Sequence, residues 1–174
     1  MYAFCQEVPD HERYRDWLAA ATSSYEPVGL ASVVLSGFIR VATHPRVFSP
    51  PAPIERAFDF ADALLSQPSA VLVGPGPRHW ETYKQLCISV GAKGNLTADA
   101  FIAALAIESG CELITTDRDF SRFPGLRWRH PLEGSLGSGI ACGRQSRVSV
   151  ARSSAFEGEK PALDAEPGPA IGKC

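Results

Sequence analysis

The first 133 residues alternate apolar segments with turn signals, and the spacing of the apolar positions predicts the elements. Pro9 and Asp10 precede a helix over residues 11–22, with Tyr14, Trp17, Leu18 and Ala21 recurring on one face. Residues 28–32 read as a short strand. Residues 33–43 read as a buried helix that stops before Pro45, because the residue preceding a proline disfavours helical torsions. Pro53 opens a helix through Ser66, with Phe58, Ala61, Leu64 and Leu65 at helical spacing. A brief apolar strand over 71–73 lies between Pro68 and the Gly74-Pro75-Gly76-Pro77 turn. A helix over 78–90 closes at Gly91, and a second buried helix over 97–109 closes at Gly110. Strands follow at 112–115 and 126–128. Helices alternating with short strands predict an α/β fold with a mainly parallel sheet.

The pattern changes at Gly134. From there to Cys174, Gly, Ser and Pro recur and large apolar residues are sparse and aperiodic. Such a stretch buries too little surface to offset its ordering entropy, so residues 134–174 are expected to be a disordered tail. Residues 1–133 form the expected domain.

Composition narrows the classes. The chain has 174 residues, 45% of them hydrophobic, enough for one domain with a core. Its net charge of −2 lacks the basic balance of a general nucleic-acid binder, so any RNA contact must be local. No apolar run approaches the roughly 20 residues that span a bilayer, and the start carries no secretory pattern. The five cysteines, Cys5, Cys87, Cys111, Cys142 and Cys174, are scattered and form no C-x-x-C pair. They are expected to be free thiols in a reducing cytoplasm.

Chemistry concentrates between Thr97 and Phe120. Thr97 is the expected N-cap, which puts Asp99 in the first turn of a helix apolar on every side and therefore buried. That helix rises about 1.5 Å per residue and the following strand about 3.3 Å, so the two cover similar lengths. A short connection makes them antiparallel. Asp99 and Asp117 then converge on one sheet edge, with Asp119 close behind, outside the carboxyl ends of the strands where open α/β sheets bind ligands. Gathered carboxylates repel one another unless a cation sits between them, and hard oxygen ligands suit Mg2+ or Mn2+. The bland alternative makes Asp99 a helix-dipole residue and Asp117 and Asp119 turn and cap residues. Glu108, nine positions after Asp99, is out of phase with it and expected to be solvated. Arg78-His79-Trp80 offers a cation and a ring that RNA could use, against a default of packing.

Several motifs together resemble the PIN domain, and within it the VapC toxins of bacterial toxin–antitoxin pairs. They are Asp99-Ala100-Phe101 in its Ala-rich helix, Leu113-Ile114-Thr115-Thr116-Asp117-Arg118-Asp119-Phe120, and Phe123-Pro124-Gly125-Leu126. The earlier stretches 10–18 and 35–48 fit as well. The resemblance implies a three-layer α/β/α fold and a Mg2+-dependent endoribonuclease that cuts tRNA or rRNA. It also implies silencing by a VapB-like antitoxin, and a homodimer. It assigns Asp99 and Asp117 to the metal and Asp119 to a further acidic position. Asn95 and Thr116 become supporting neighbours, and Arg40 and Arg118 phosphate contacts.

Two positions depart from the family pattern. Members open with an apolar strand that bears an Asp and forms the centre of the sheet, and here that first strand is missing ahead of Tyr2-Ala3-Phe4. Members also place a Glu in the second helix, where Gly37 stands. The resemblance therefore carries a second reading, a catalytically inactive PIN remnant that binds an antitoxin or PIN partner. An α/β domain binding a nucleotide or sugar would need a phosphate cradle, which the motifs do not provide. A missing central strand would leave two sheet edges open, so poor solubility is expected.

Overall fold

The computed structural model describes residues 1–133 and the backbone of residues 147–149. It contains the helices α1 (His11–Thr22), α2 (Ser32–Ala42), α3 (Ile54–Leu65), α4 (His79–Val90) and α5 (Asn95–Glu108). The strands are β1 (Val28–Ala31), β2 (Ala70–Val73), β3 (Glu112–Ile114), β4 (Trp128–Arg129) and β5 (Arg147–Ser149). The sheet order is β2-β1-β5-β3-β4 and every neighbouring pair is parallel. This is the α/β architecture that the alternation of periods predicts.

All four β1 residues are buried, as are Leu113 and Ile114 of β3, so the strands flanking the centre run through the core. β2 is an edge strand and leaves Val71 and Leu72 exposed. α5 explains its own depth: Ala100, Ala103, Ala104 and Ala106 have no side chain large enough to hold a neighbour away. They pack with Leu86 of α4, Leu113 of β3, Phe120 and Phe123. A second cluster joins Phe4 to Phe38 and Ala42 of α2 and Ala57 of α3. Phe4, Phe38 and Phe60 meet ring to ring at centroid distances of 5.1 to 5.4 Å, within the usual range for aromatic pairs.

Three expectations are corrected, and a fourth falls largely outside the described residues. The centre of the sheet is not vacant: β5 pairs with β1 on one side and β3 on the other. The expected open edges, and the poor solubility argued from them, therefore lose their basis. The disordered segment expected over 134–174 lies outside the described residues except at 147–149, which form that strand. On α3 the inward face is Ala57, Phe60, Ala61 and Leu64, whereas Phe58 and Leu65 point outward. The strand expected at 126–128 pairs at Trp128 and Arg129 instead, because Leu113 and Thr115 donate to the carbonyls of Arg127 and Arg129. A 3-10 helix over Arg118–Arg122 was not anticipated. Among the described residues no helix is long and apolar enough to cross a membrane.

Candidate acidic site

The site is built on the junctions of α5 and β3. α5 begins at Asn95, two residues ahead of the expected start. Gly94, at φ 55°, is its N-cap, a left-handed torsion that glycine adopts without steric cost. Thr97 is inside the helix and donates its hydroxyl to the Gly94 carbonyl at 2.7 Å. Asp99 is therefore past the first turn, where the dipole rationale for a carboxylate weakens. It is also only 5% exposed. The other buried residues of α5 are apolar, so Asp99 is the one buried carboxylate of this helix.

Asp117 follows β3. Its amide donates to Thr115 Oγ1 at 3.1 Å, and its Oδ1 accepts the Asp119 amide at 2.9 Å. It is the N-cap of the 3-10 helix, so the cap role weighed in the sequence is real and uses one of its two carboxylate oxygens. Asp119 is exposed in the first turn of the same helix.

α5 packs on β3 through Ala100 to Ala106 and Leu113. The turn at Ser109, Gly110 and Cys111 reverses the chain, with Gly110 at φ 66°. Asp99 lies in the amino-terminal half of α5, and Asp117 three residues past the carboxyl end of β3. Among the described residues, however, no group of three or more His, Cys, Asp or Glu side chains is placed to hold a metal ion. Asp119 does not complete a triad with the other two.

The remaining candidates separate. Asn95 is exposed at the start of α5, at the same end of the helix as Asp99. Thr116 is half-buried and lines a small cavity of about 60 Å3 with Ile114, Met1, Tyr2, Tyr14 and Trp17. Arg118 is exposed and pairs with Glu133 at 3.3 Å. Arg40 is exposed in the last turn of α2. α2 starts where β1 ends, so Arg40 is about 12 Å along the helix from the carboxyl end of β1. Gly37 sits in the middle of α2, and a Cβ there would meet nothing within 4 Å. The cavity gives the chain start a place in the fold that no motif announced. Burial of the Met1 amine lowers its pKa from 8.0 to about 6.

Two other readings are revised. Glu108 is not merely solvated: its carboxylate accepts the Gly76 amide at 2.9 Å and the Arg78 amide at 2.8 Å, clasping the turn before α4. His79 is buried and hydrogen-bonds through Nε2 to the Phe101 carbonyl at 3.0 Å. It is a packing residue, whereas Trp80 beside it is exposed.

The PIN domain profile matches this parallel α/β chain over residues 1–126. The chain belongs to the PIN domain family. Its relatives include the VapC ribonuclease Mb2897 of Mycobacterium bovis, 45% identical over 134 residues, which span 77% of this chain and 91% of that protein. Ribonuclease VapC43 of Mycobacterium tuberculosis shows the same identity and coverage. Ribonuclease VapC31 of the same species is 36% identical over 123 residues, 71% of this chain and 87% of its own length. The chain thus falls within the VapC branch of the family.

Proposed function

We propose that this protein is the toxin ribonuclease of a toxin–antitoxin pair, a divalent-metal-dependent endoribonuclease acting on tRNA or rRNA. The buried Asp99 carries the reading. Asp99 is a buried carboxylate in the amino-terminal half of a helix whose other buried residues are apolar, and Asp117 follows the carboxyl end of β3. Two carboxylates with retained waters and substrate phosphate oxygens suit Mg2+ or Mn2+, which need no cage of protein ligands. Asp99 and Asp117 would hold the ion, which lowers the pKa of a bound water and offsets charge developing on the phosphodiester.

The chain's own residues have defined tasks. Asp117 would offer the metal its carboxylate, which the bond from the Asp119 amide helps to orient. Asp119, exposed beside it, orients water. Asn95 and Thr116 flank the acids and position them. Arg118, at the rim, receives a phosphate after leaving Glu133, and Arg40 is too far along α2 to share that contact without a long substrate. A VapB-like antitoxin as inhibitor and a homodimer as the assembled form complete the proposal.

A second reading has its own observation: no three-residue acidic group forms among the described residues. A two-acid site would hold metal weakly, and the chain could then serve as a binding module for an antitoxin or a PIN partner. Cleavage of total tRNA in the presence of Mg2+ or Mn2+, with Asp99→Asn beside the parent, separates them. The nuclease reading expects cleavage that falls at least about 100-fold in the variant, the several kcal/mol that metal charge stabilisation supplies. A folded parent chain that leaves RNA intact with either ion refutes it.

A further inference from the structure

We propose that the outer face of α4 is a binding track for single-stranded RNA, with Trp80 as the ring on which a base stacks. The inference rests on the nuclease reading for its substrate class and adds to it the surface that receives the strand. Trp80, Lys84 and Ile88 recur every four residues, so they share one side of the helix. Leu86 is buried against α5, whereas Trp80 is 69% exposed, Ile88 73%, and Lys84 lies at the surface between them. Trp80 meets Tyr83 at a centroid distance of 5.7 Å, and Tyr83 meets Phe101 of α5 at 5.8 Å. The indole is thus braced by a ring anchored in the core while most of its surface faces solvent. A ring already held in place loses little side-chain freedom when a partner stacks on it.

Charge selects the occupant. Between Gly74 and Ala98 stand three cations, Arg78, Lys84 and Lys93, and one acid, Glu81, in a chain whose net charge is −2. All three cations are exposed. Glu81 holds Lys84 at 2.7 Å, but both side chains are more than half exposed, and a surface pair of this kind is weak enough to yield to a phosphate. Glu108, at the start of α4, already accepts the amides of Gly76 and Arg78. α3 makes the contrast. It too exposes apolar side chains, Ile54, Phe58 and Leu65, but its charged residues are Glu55, Arg56, Asp59 and Asp62. A polyanion is drawn to the first face and repelled by the second. Cations around an exposed ring suit a single strand, whose phosphates follow the charge while its bases stack. A duplex keeps its bases stacked on one another, so the ring takes an unpaired one. The face also leads to the acids. Gly91 to Gly94 turn the chain from α4 into α5, which packs back along Tyr83, Cys87 and Val90. Trp80 is about 15 Å from Val90 at the helical rise. Lys93 stands beyond, two residues ahead of α5, whose amino-terminal half carries Asp99.

Fluorescence anisotropy of a labelled oligouridylate with the full chain tests this, with EDTA present so that no cleavage intervenes. The parent is expected to bind, and Trp80→Ala to bind at least about fivefold more weakly, the low end of what a base–ring stack contributes. Trp80→Phe keeps a ring and is expected to recover most of the loss. Lys84→Met is expected to lower the slope of log affinity against log salt by about one, a change that lost packing would not produce. Both side chains are at the surface, so the variants keep the fold. Equal affinity of the parent and Trp80→Ala overturns the track and leaves the ring to a protein partner. A parent chain that does not bind the oligonucleotide overturns it as well. The nuclease reading fails separately, if RNA binds through Trp80 but stays intact when Mg2+ or Mn2+ is supplied. It stands without the track if RNA is cut while Trp80→Ala binds as the parent does.

Discussion

The two halves of the sheet on either side of β5 differ in kind. β3 and β4 lie under α5 and α4, and their cluster is closed by Phe120 and Phe123, both almost fully buried. β1 and β2 end in an edge strand whose Val71 and Leu72 face outward, beside an α3 that leaves Ile54, Phe58 and Leu65 exposed. The half that carries Asp99 and Asp117 is the one closed by buried aromatic rings. A site that must hold charged ligands in a fixed geometry gains from being mounted on packed elements. The outer half keeps apolar side chains at its surface, where substitutions cost the fold little.

Truncation on each side is the sharpest way to break this contrast. Leu113 is fully buried, so Leu113→Ala deletes packed methyl groups and leaves a cavity, with an expected loss of about 2–5 kcal/mol. Leu72, in the edge strand, is 64% exposed, and Leu72→Ala should stay within about 0.5 kcal/mol. Urea denaturation of both variants measures the difference. Equal losses would mean that the outer half is as tightly packed as the inner one.

The inner half was largely legible in the sequence, for a physical reason. An all-apolar helix followed by a short apolar strand allows few arrangements, and both elements fall where the periods predict. The start of α5 was misjudged because Thr97 resembles a cap, whereas Gly94 supplies the turn through its backbone. On α3, spacing found a helix but chose Phe58 and Leu65 over Ala57 and Phe60, since large side chains outweigh alanine in any apolar pattern. β5 was illegible. Three residues in a Gly- and Ser-rich segment carry no period, and their place in the sheet depends on partners more than 30 positions away in sequence. Of the site, the sequence marks Asp99 and Asp117 as candidates, and the cap that engages one Asp117 oxygen shows only in the structure.

The chain start offers a smaller effect, through pH. The Met1 amine is buried beside β3 and α1, and burial lowers its pKa from 8.0 to about 6. An amine with a folded-state pKa below its unfolded value stays unprotonated on folding while the unfolded chain binds a proton. Between pH 6 and 8 the unfolded state therefore holds more protons, and stability rises with pH. Two pKa units correspond to about 2.7 kcal/mol, absent as a penalty above pH 8 and fully applied below pH 6. Denaturation midpoints of the chain with a free Met1 amine are expected to climb across that window. Nα-acetylation removes the titrating group and should flatten the dependence. A midpoint that falls as pH rises from 6 to 8 would contradict the burial of the amine.

A smaller loss than that at Leu113 or at the Met1 amine concerns the link from α5 to the Gly-Pro turn. Glu108 accepts two backbone amides, from Gly76 and Arg78, and so ties the end of α5 to the start of α4. Charge-assisted bonds of this kind are stronger than neutral ones, but the clasp is at the surface and water can replace part of it. Glu108→Ala is expected to cost about 1 kcal/mol, near the net value of an ordinary hydrogen bond. The space under Gly76 gives an independent check. A Cβ there would lie 2.6 Å from Glu108 Oε1, so Gly76→Ala must push the carboxylate out of its seat. If the clasp is real, the two substitutions share one cause. The double variant should then lose little more than the larger of the single losses. Additive losses would show that the turn and the end of α5 are held independently, and that the inner half is held by the apolar packing of α5 on β3 alone.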